Sequence, residues 1–483
     1  MKKIYIYSLT TLLLWGAASC KKPNQFGDTN LDPTAVTAPV TSALIASVEH
    51  NLPNYITSRT AFGINGAAYS QYASETQYPG TSLYNLPQVD FAGEYSGNLY
   101  DCQNVINTST DKNAVAAATI MQQYIFWVLT DSFGDIPYSQ ALAGIKAITP
   151  AYDKQEDIYK GILSKTAAAV ASLGGGSVPG DVVYGGSTDK WKKFGNSLII
   201  LASTQLSKIK PGASDYAAAA FKTAVAGGYI ATNADNFSVP FTADYHNPWY
   251  ILYDGRYDWG ESTTMTGMLA SLNDQRQLVY GGPYNDPNKA SGGTLSTTTG
   301  VPYGLARTEA NNFVASHPDW AYLLRADKRT STSPVVVTSA AEVLLAVSEG
   351  INIGWTTGNA AATYVDGINK SFEQWGVDAP PASYFTQAGV VFSAKNLAIE
   401  QWISAYPDGH MGWNIWRKTG FPALTPAPGA TNSSKKILRR FTYTSAESQT
   451  NGANLKAAVA RITGAQPGVD SPENAVWWDV LGQ

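Results

Sequence analysis

The stretch from Asn113 to Thr130 constrains the fold more than any other part of this chain. It contains no glycine or proline, and Ile120, Tyr124 and Trp127 recur at i, i+4 and i+7 with Met121, Ile125 and Val128 beside them. That spacing predicts a helix whose apolar surface wraps more than one side, and such a helix is stable only when other elements enclose it. Further helices are expected near 41–51, 154–173, 189–209, 214–227, 261–280, 339–353, 359–375, 392–405 and 447–462. Strand signals are few and short, so the predicted class is mainly α.

The pair 339–353 and 359–375 says most about architecture. Ala341, Leu345, Tyr364, Ile368, Phe372 and Trp375 set large apolar side chains against small ones, and Gly354 and Gly358 break the chain between them. Two short helices across a tight turn make a hairpin of about 35 residues, the length of a tetratricopeptide unit. Segments 113–173 and 189–227 are candidates for two more pairs, at irregular intervals. The expected architecture is a helical body of tetratricopeptide-like pairs interrupted by long irregular insertions.

The N-terminus reads as an export signal. Lys2 and Lys3 precede the apolar run Ile4 to Trp15, and Gly16-Ala17-Ala18-Ser19 leads directly onto Cys20. The run is too short to span a bilayer, and small residues ending on a cysteine point to a bacterial lipoprotein box. Residues 1–19 are therefore expected to be a signal peptide, with Cys20 lipidated at the start of the mature chain. Residues 20–40, with Pro23, Pro33 and Pro39 among polar residues, read as a tether, and 41–483 as the folded domain. Once Cys20 is acylated only Cys102 remains, so no intramolecular disulfide holds the exported chain.

Charged residues are only 14% of the chain, against about 25% in typical soluble proteins. Tyrosine (28) and tryptophan (13) are plentiful instead, and the net charge of −4 offers no basic stripe for phosphates. Nucleic acid is an unsuitable partner on that ground. Aromatic faces beside uncharged polar groups suit a hydroxyl-rich ligand such as a glycan.

The aromatics fall in two irregular regions. Residues 69–99 and 231–259 carry Tyr78, Tyr84, Trp249, Tyr250, Tyr257 and Trp259 among Gly, Pro, Asn and Asp, where helix packing does not obviously require them. These six are the expected ligand-binding residues, with Asn247, Asp254 and Arg256 as polar groups beside them. The competing reading of the same residues is a satellite core that fastens long loops to the body. Gly174–Gly186 and 281–312 read as linker-like interruptions.

Motifs for catalysis or metal binding are missing from the sequence. The four histidines are scattered without cysteine partners, so no zinc signature exists. There is no Gly-x-Ser-x-Gly elbow, phosphate loop or dinucleotide fingerprint, and Asp254–Asp258 lacks the acidic count and closing glutamate of a calcium loop. No cofactor is expected. Asp131 and Asp135 are the pair that could serve glycoside hydrolysis, but they sit at a Gly-Asp-x-Pro corner after a buried helix, where capping and turn roles explain both. A structural ion pair is likewise the reading for Glu400, Asp408, His410 and Arg417.

Several blocks, taken in order, resemble the SusD/RagB family of Bacteroidetes nutrient-binding outer-membrane lipoproteins, in its SusD-like branch. They are Thr130-Asp131-Ser132-Phe133-Gly134-Asp135-Ile136-Pro137-Tyr138; Ala341-Glu342-Val343-Leu344-Leu345 with Tyr364-Val365-Asp366-Gly367-Ile368; Gly412-Trp413-Asn414-Ile415-Trp416-Arg417-Lys418-Thr419-Gly420-Phe421-Pro422; Arg440-Phe441-Thr442-Tyr443; and Val476-Trp477-Trp478-Asp479. Lys418 stands where the family usually has a second Arg, Thr444 where Pro is expected, and Gln275 within what is often Asp-Pro-Arg. The resemblance implies a helical body with tetratricopeptide-like units over 41–483, packed on a TonB-dependent transporter of the SusC type, with insertions forming the ligand face. It carries over no catalytic residue and fixes no ligand contact.

Three readings remain at this level: a capture lipoprotein for a glycan or other small nutrient, lipid-anchored at the outer membrane and, as the family resemblance implies, facing the cell surface; an exported all-helical glycoside hydrolase or lyase; and an assembly scaffold without a soluble ligand.

Overall fold

A computed structural model describes residues 39–57, 59–85, 87–283 and 299–483. The signal peptide, Cys20 and nearly all of the tether lie outside the described residues. The first helix, α1, spans Thr41–Asn51. It is followed by α2 (Ala61–Tyr69), α3 (Asn98–Thr108), α4 (Lys112–Phe133), α5 (Gln155–Ser172), α6 (Thr188–Gln205) and α7 (Tyr216–Ala226). After a region of shorter helices, short strands and loops come α8 (Ala340–Asn352), α9 (Ala360–Trp375), α10 (Ala394–Ser404) and α11 (Gly409–Thr419).

The central helix is α4. Asp111 caps it by accepting from the amides of Asn113 and Ala114 at 2.8 and 3.1 Å, satisfying donors the first turn leaves free. From Ile120 to Phe133 every residue is buried, as its two-sided apolar pattern requires. Helices α3 and α5 pack against it, α6 against α5, and α7 against α6. This continuous run of paired helices meets a second group through contact of α6 with α8.

The hairpin α8–α9 follows its sequence closely. Ser339 and Glu342 form a reciprocal capping box at the start of α8, Asn359 accepts from the Ala362 amide at 3.1 Å, and Gly376 ends α9 in the left-handed conformation. A Cβ at Gly367 would come within 2.9 Å of Leu345 Cγ, so the small residue sets how closely the two helices approach.

Strands among the described residues make only two-stranded antiparallel pairs. One matters for the ligand face: β1 (Ala73–Glu75) pairs with β2 (Trp259–Glu261), Glu75 opposite Trp259. No helix among the described residues is long and apolar enough to cross a membrane.

Some elements depart from expectation. The single helix expected at 261–280 is two, Thr263–Ser271 and Gln277–Tyr280, separated where Asn273 adopts a positive φ of 50°. The helix expected at 447–462 breaks at Asn451 into Ser445–Thr450 and Gly452–Val459, and the Asn451 amide donates to the Pro150 carbonyl at 2.7 Å. Gly174–Gly186, linker-like by composition, is packed: the Asp181 carboxylate accepts from the amides of Val183, Tyr184 and Gly186 and from the Trp191 indole.

The widely spaced sequence blocks converge on one buried carboxylate. Asp131, at the end of α4, accepts from the Tyr159 hydroxyl (2.5 Å), the Trp478 indole (2.8 Å) and the Asn414 amide (2.7 Å). Arg417 donates to the Asp131 backbone carbonyl at 2.8 Å and packs over the Trp413 ring at 3.7 Å. Lys418 is paired in the interior with Glu349 of α8, its ammonium 2.8 Å from the carboxylate, which makes it a framework residue.

Candidate ligand-binding cleft

The loops carrying the expected aromatics are brought side by side by the β1–β2 pair. Beyond β1, the Thr76 amide donates to the Asp258 carbonyl at 2.9 Å and its hydroxyl donates to the Tyr257 carbonyl. Glu75 then fastens the next turn, accepting from the Gly80 and Ser82 amides at 2.9 and 2.8 Å. The chain bearing Tyr78 thus leaves the pair next to the chain bearing Tyr257 and Trp259.

The six aromatics occupy different surroundings. Tyr250 and Tyr257 are half-buried and line a cleft of about 380 Å³ together with Tyr253 and Asp254. Its other wall is the 326–331 segment, with Asp327, Arg329, Thr330 and Ser331. Tyr78 is 55% exposed with the Arg307 guanidinium 4.8 Å above its ring. Trp259 is half-buried on β2. Tyr84 is enclosed in the core, where its hydroxyl accepts from the Ala427 amide at 3.0 Å. Trp249 is also buried, and it lines a separate cavity of about 260 Å³ with Trp375 and Tyr406.

Asn247 holds the two walls of the cleft together. Its backbone amide donates to the Ser331 carbonyl and its side-chain amide to the Ser333 carbonyl, both at 2.9 Å. Its side-chain oxygen caps the short helix Pro248–Leu252 by accepting from the Trp249 amide at 2.7 Å. It therefore positions the cleft instead of facing a ligand. Arg256 is exposed and donates to Asp258 at 2.6 Å.

Sequence reading missed Tyr253 and Arg329. Tyr253 lies in a small second apolar cluster with Val301, Trp320 and Tyr322, against which Tyr257 is partly packed. Its hydroxyl donates to the Trp259 carbonyl at 3.0 Å and accepts from the Leu323 amide at 2.9 Å. Arg329 packs over the rings of Tyr253 and Tyr322, 4.6 and 4.5 Å from their centroids. Burial holds its guanidinium below the usual arginine range. Asp327 behaves oppositely: burial would raise its carboxyl, but hydrogen bonds and charge from Arg325, with Lys328 nearby, hold it below the ordinary value. The available signal was the charged run Arg325-Ala326-Asp327-Lys328-Arg329 in a chain poor in charge.

The profile of the SusD-like family described as starch-binding and associating with the outer membrane matches residues 33–444. The chain belongs to the SusD-like family. Solved structures share the fold. A SusD homolog from Bacteroides uniformis is 24% identical with a TM-score of 0.77, covering 90% of this chain and 99% of that one. A SusD-like protein from Bacteroides thetaiotaomicron is 23% identical with a TM-score of 0.75, covering 92% and 100%. A chitin-binding SusD homolog from Flavobacterium johnsoniae is 22% identical with a TM-score of 0.76, covering 91% and 98%. No curated protein matches the sequence. The mainly helical body with tetratricopeptide-like pairs is thus the SusD-like fold.

The carboxylates considered for hydrolysis are engaged in this frame. Asp131 is fully buried beneath its three donors. Asp135 pairs with Arg461 at 2.6 Å and accepts from the Gln155 amide at 2.9 Å. Glu400 pairs with Arg276 at 2.8 Å, not with Arg417, and Asp408 caps α11 by accepting from the Met411 amide. His410 is buried, and desolvation with the Arg417 charge pushes its imidazole down to about 3.

Proposed function

We propose that this SusD-like protein is a lipid-anchored outer-membrane lipoprotein that binds a carbohydrate nutrient without cleaving it and delivers it to a TonB-dependent transporter of the SusC type. The observation that carries the binding reading is the cleft in which Tyr250 and Tyr257 stand beside Asp254, Thr330 and Ser331. Tyrosine faces pack on the C–H face of a sugar, and the polar side chains can exchange hydrogen bonds with its hydroxyls. Tyr78 and Trp259, on chain segments held beside Tyr257 by the β1–β2 pair, are further candidate contacts. The starch-binding description of the family and the chitin-binding relative support a glycan as the ligand class. The engagement of Asp131, Asp135 and Glu400 in structural bonds supports binding without hydrolysis.

Titration calorimetry with starch and chitin oligosaccharides, with an assay for new reducing ends, tests this reading. Binding heat without products is the expected result. Replacing a tyrosine that serves as a binding platform removes a hot spot worth about 2 kcal/mol. Tyr250→Ala or Tyr257→Ala should therefore weaken binding by that order, with little change in melting temperature because both rings are half-exposed. Reducing ends that accumulate in proportion to protein would refute capture without cleavage. Unaltered affinity in both variants would remove the cleft from the proposal.

The anchor is testable separately. Cys20→Ala is expected to release the protein from the membrane fraction while leaving its melting temperature unchanged, because the tether precedes the first core helix. Retention of this variant in outer membranes that lack the transporter would overturn the lipoprotein reading.

A further inference from the structure

The cleft contains a buried cation, Arg329, that has no anionic partner among the described residues. Arg329 is 5% exposed. Its Nε donates to the Leu324 carbonyl at 2.9 Å, while Nη2 finds no hydrogen-bond acceptor among the described residues. Burying a guanidinium is costly unless charge and hydrogen bonds compensate it. The rings of Tyr253 and Tyr322 offset part of that cost through their faces. A ring face does not replace the in-plane oxygen acceptors that a guanidinium fork is shaped to meet.

The acids beside Arg329 do not supply them. Asp327 is engaged by Arg325, which donates from Nε at 2.6 Å and from Nη2 at 2.9 Å. Asp254 is exposed and forms no ion pair with Arg329. Elsewhere in the interior, buried cations are met by carboxylates or by several oxygen acceptors: Arg276 pairs with Asp274 and Glu400, Lys418 pairs with Glu349, and Arg417, without a carboxylate partner among the described residues, donates to the Asp131 and Arg439 carbonyls and to the Asn414 side chain. Arg329 departs from that pattern at a position lining an open cleft between tyrosines and hydroxyls.

We propose that Arg329 receives the carboxylate of an acidic sugar, so that the cleft takes a glycan containing uronic acid residues, with Tyr250 and Tyr257 packing on the sugar rings. A planar carboxylate matches the guanidinium fork, and the partly enclosed site makes that contact stronger than the same pair in water. Thr330 and Ser331 can serve the neighbouring hydroxyls. This assignment rests on the carbohydrate-binding reading and narrows its ligand class.

The test uses galacturonate and mannuronate oligomers, each compared with its carboxyl-reduced counterpart, at about 0.15 M salt, where long-range attraction is largely screened. The unaltered protein should bind at least one acidic oligomer ten times or more tightly than its reduced form. Arg329→Gln should abolish that preference, and Arg329→Lys, which keeps the charge but loses the fork, should retain only part of it. Because Arg329 is buried, the comparison of acidic and reduced oligomers on the unaltered protein decides the matter even if both variants fail to fold. Equal affinity for acidic and reduced oligomers, or a preference that survives in folded Arg329→Gln, overturns the assignment. If neutral oligosaccharides bind and depend on Tyr257 while acidic ones gain nothing, the uronate assignment falls and glycan capture stands. If no carbohydrate binds, both fall.

Discussion

Asp131→Ala is expected to lower unfolding stability by about 3–5 kcal/mol, the range for breaking a buried, hydrogen-bonded charge network from one side. The substitution leaves the Tyr159 hydroxyl, the Trp478 indole and the Asn414 amide without their acceptor. It also removes a carboxylate whose charge Arg417 senses. Those donors come from α5, α11 and the C-terminal segment, so one deletion loosens three parts of the body at once. Tyr159→Phe, which takes away a single donor, should cost only about 1 kcal/mol. Denaturant unfolding of both variants checks the argument. A loss below about 1 kcal/mol in Asp131→Ala would show that the apolar packing around the knot holds these segments without the carboxylate.

Arg276→Met should have an effect of comparable size, and one that depends on pH. Arg276 is fully buried with Asp274 and Glu400, its Nη2 2.5 Å from the first and 2.8 Å from the second. The Tyr384 hydroxyl lies within hydrogen-bond distance of both acids, 2.8 Å from Asp274 and 3.1 Å from Glu400. Removing the cation leaves two carboxylates facing each other in the interior, at a cost of about 3–5 kcal/mol. Burial, opposed by Arg276 and reinforced by Asp274, already holds the Glu400 carboxyl above its ordinary value. The folded protein therefore binds this proton more tightly than the unfolded chain does, and the contribution to stability falls as pH rises above the glutamate reference of about 4.3. Without Arg276 the carboxyl rises further, so the variant should be nearest the unaltered protein in mild acid and furthest from it near pH 8. Adding Glu400→Gln should recover part of the loss at pH 8. A deficit independent of pH would assign the effect to lost packing against the Phe372 ring.

What the sequence determined by itself is the helical frame. The periodicity in α4 and the hairpin α8–α9 is local: side chains three and four residues apart share a helix face wherever the rest of the chain goes. The order of the motif blocks was equally legible, and it placed the chain in its family. Tertiary structure alone decided the parts that depend on distant partners. Helix α2 was not foreseen because Gly63 and Gly66 lower helix propensity by about 1 kcal/mol each. Yet a Cβ at Gly66 would come within 2.7 Å of the Gly409 backbone, and this close crossing with α11 is what the glycines permit. The loop aromatics show the same limit. Tyr78 and Tyr84 stand in similar polar surroundings in sequence, but one is exposed, and the other is buried by an amide 343 positions further along. That Arg329 lacks an anionic partner among the described residues was also invisible, because it depends on Arg325 engaging Asp327 and on Tyr253 and Tyr322 closing over the guanidinium. Burial of a loop side chain is set by contacts between segments far apart in the chain, and no local period encodes them.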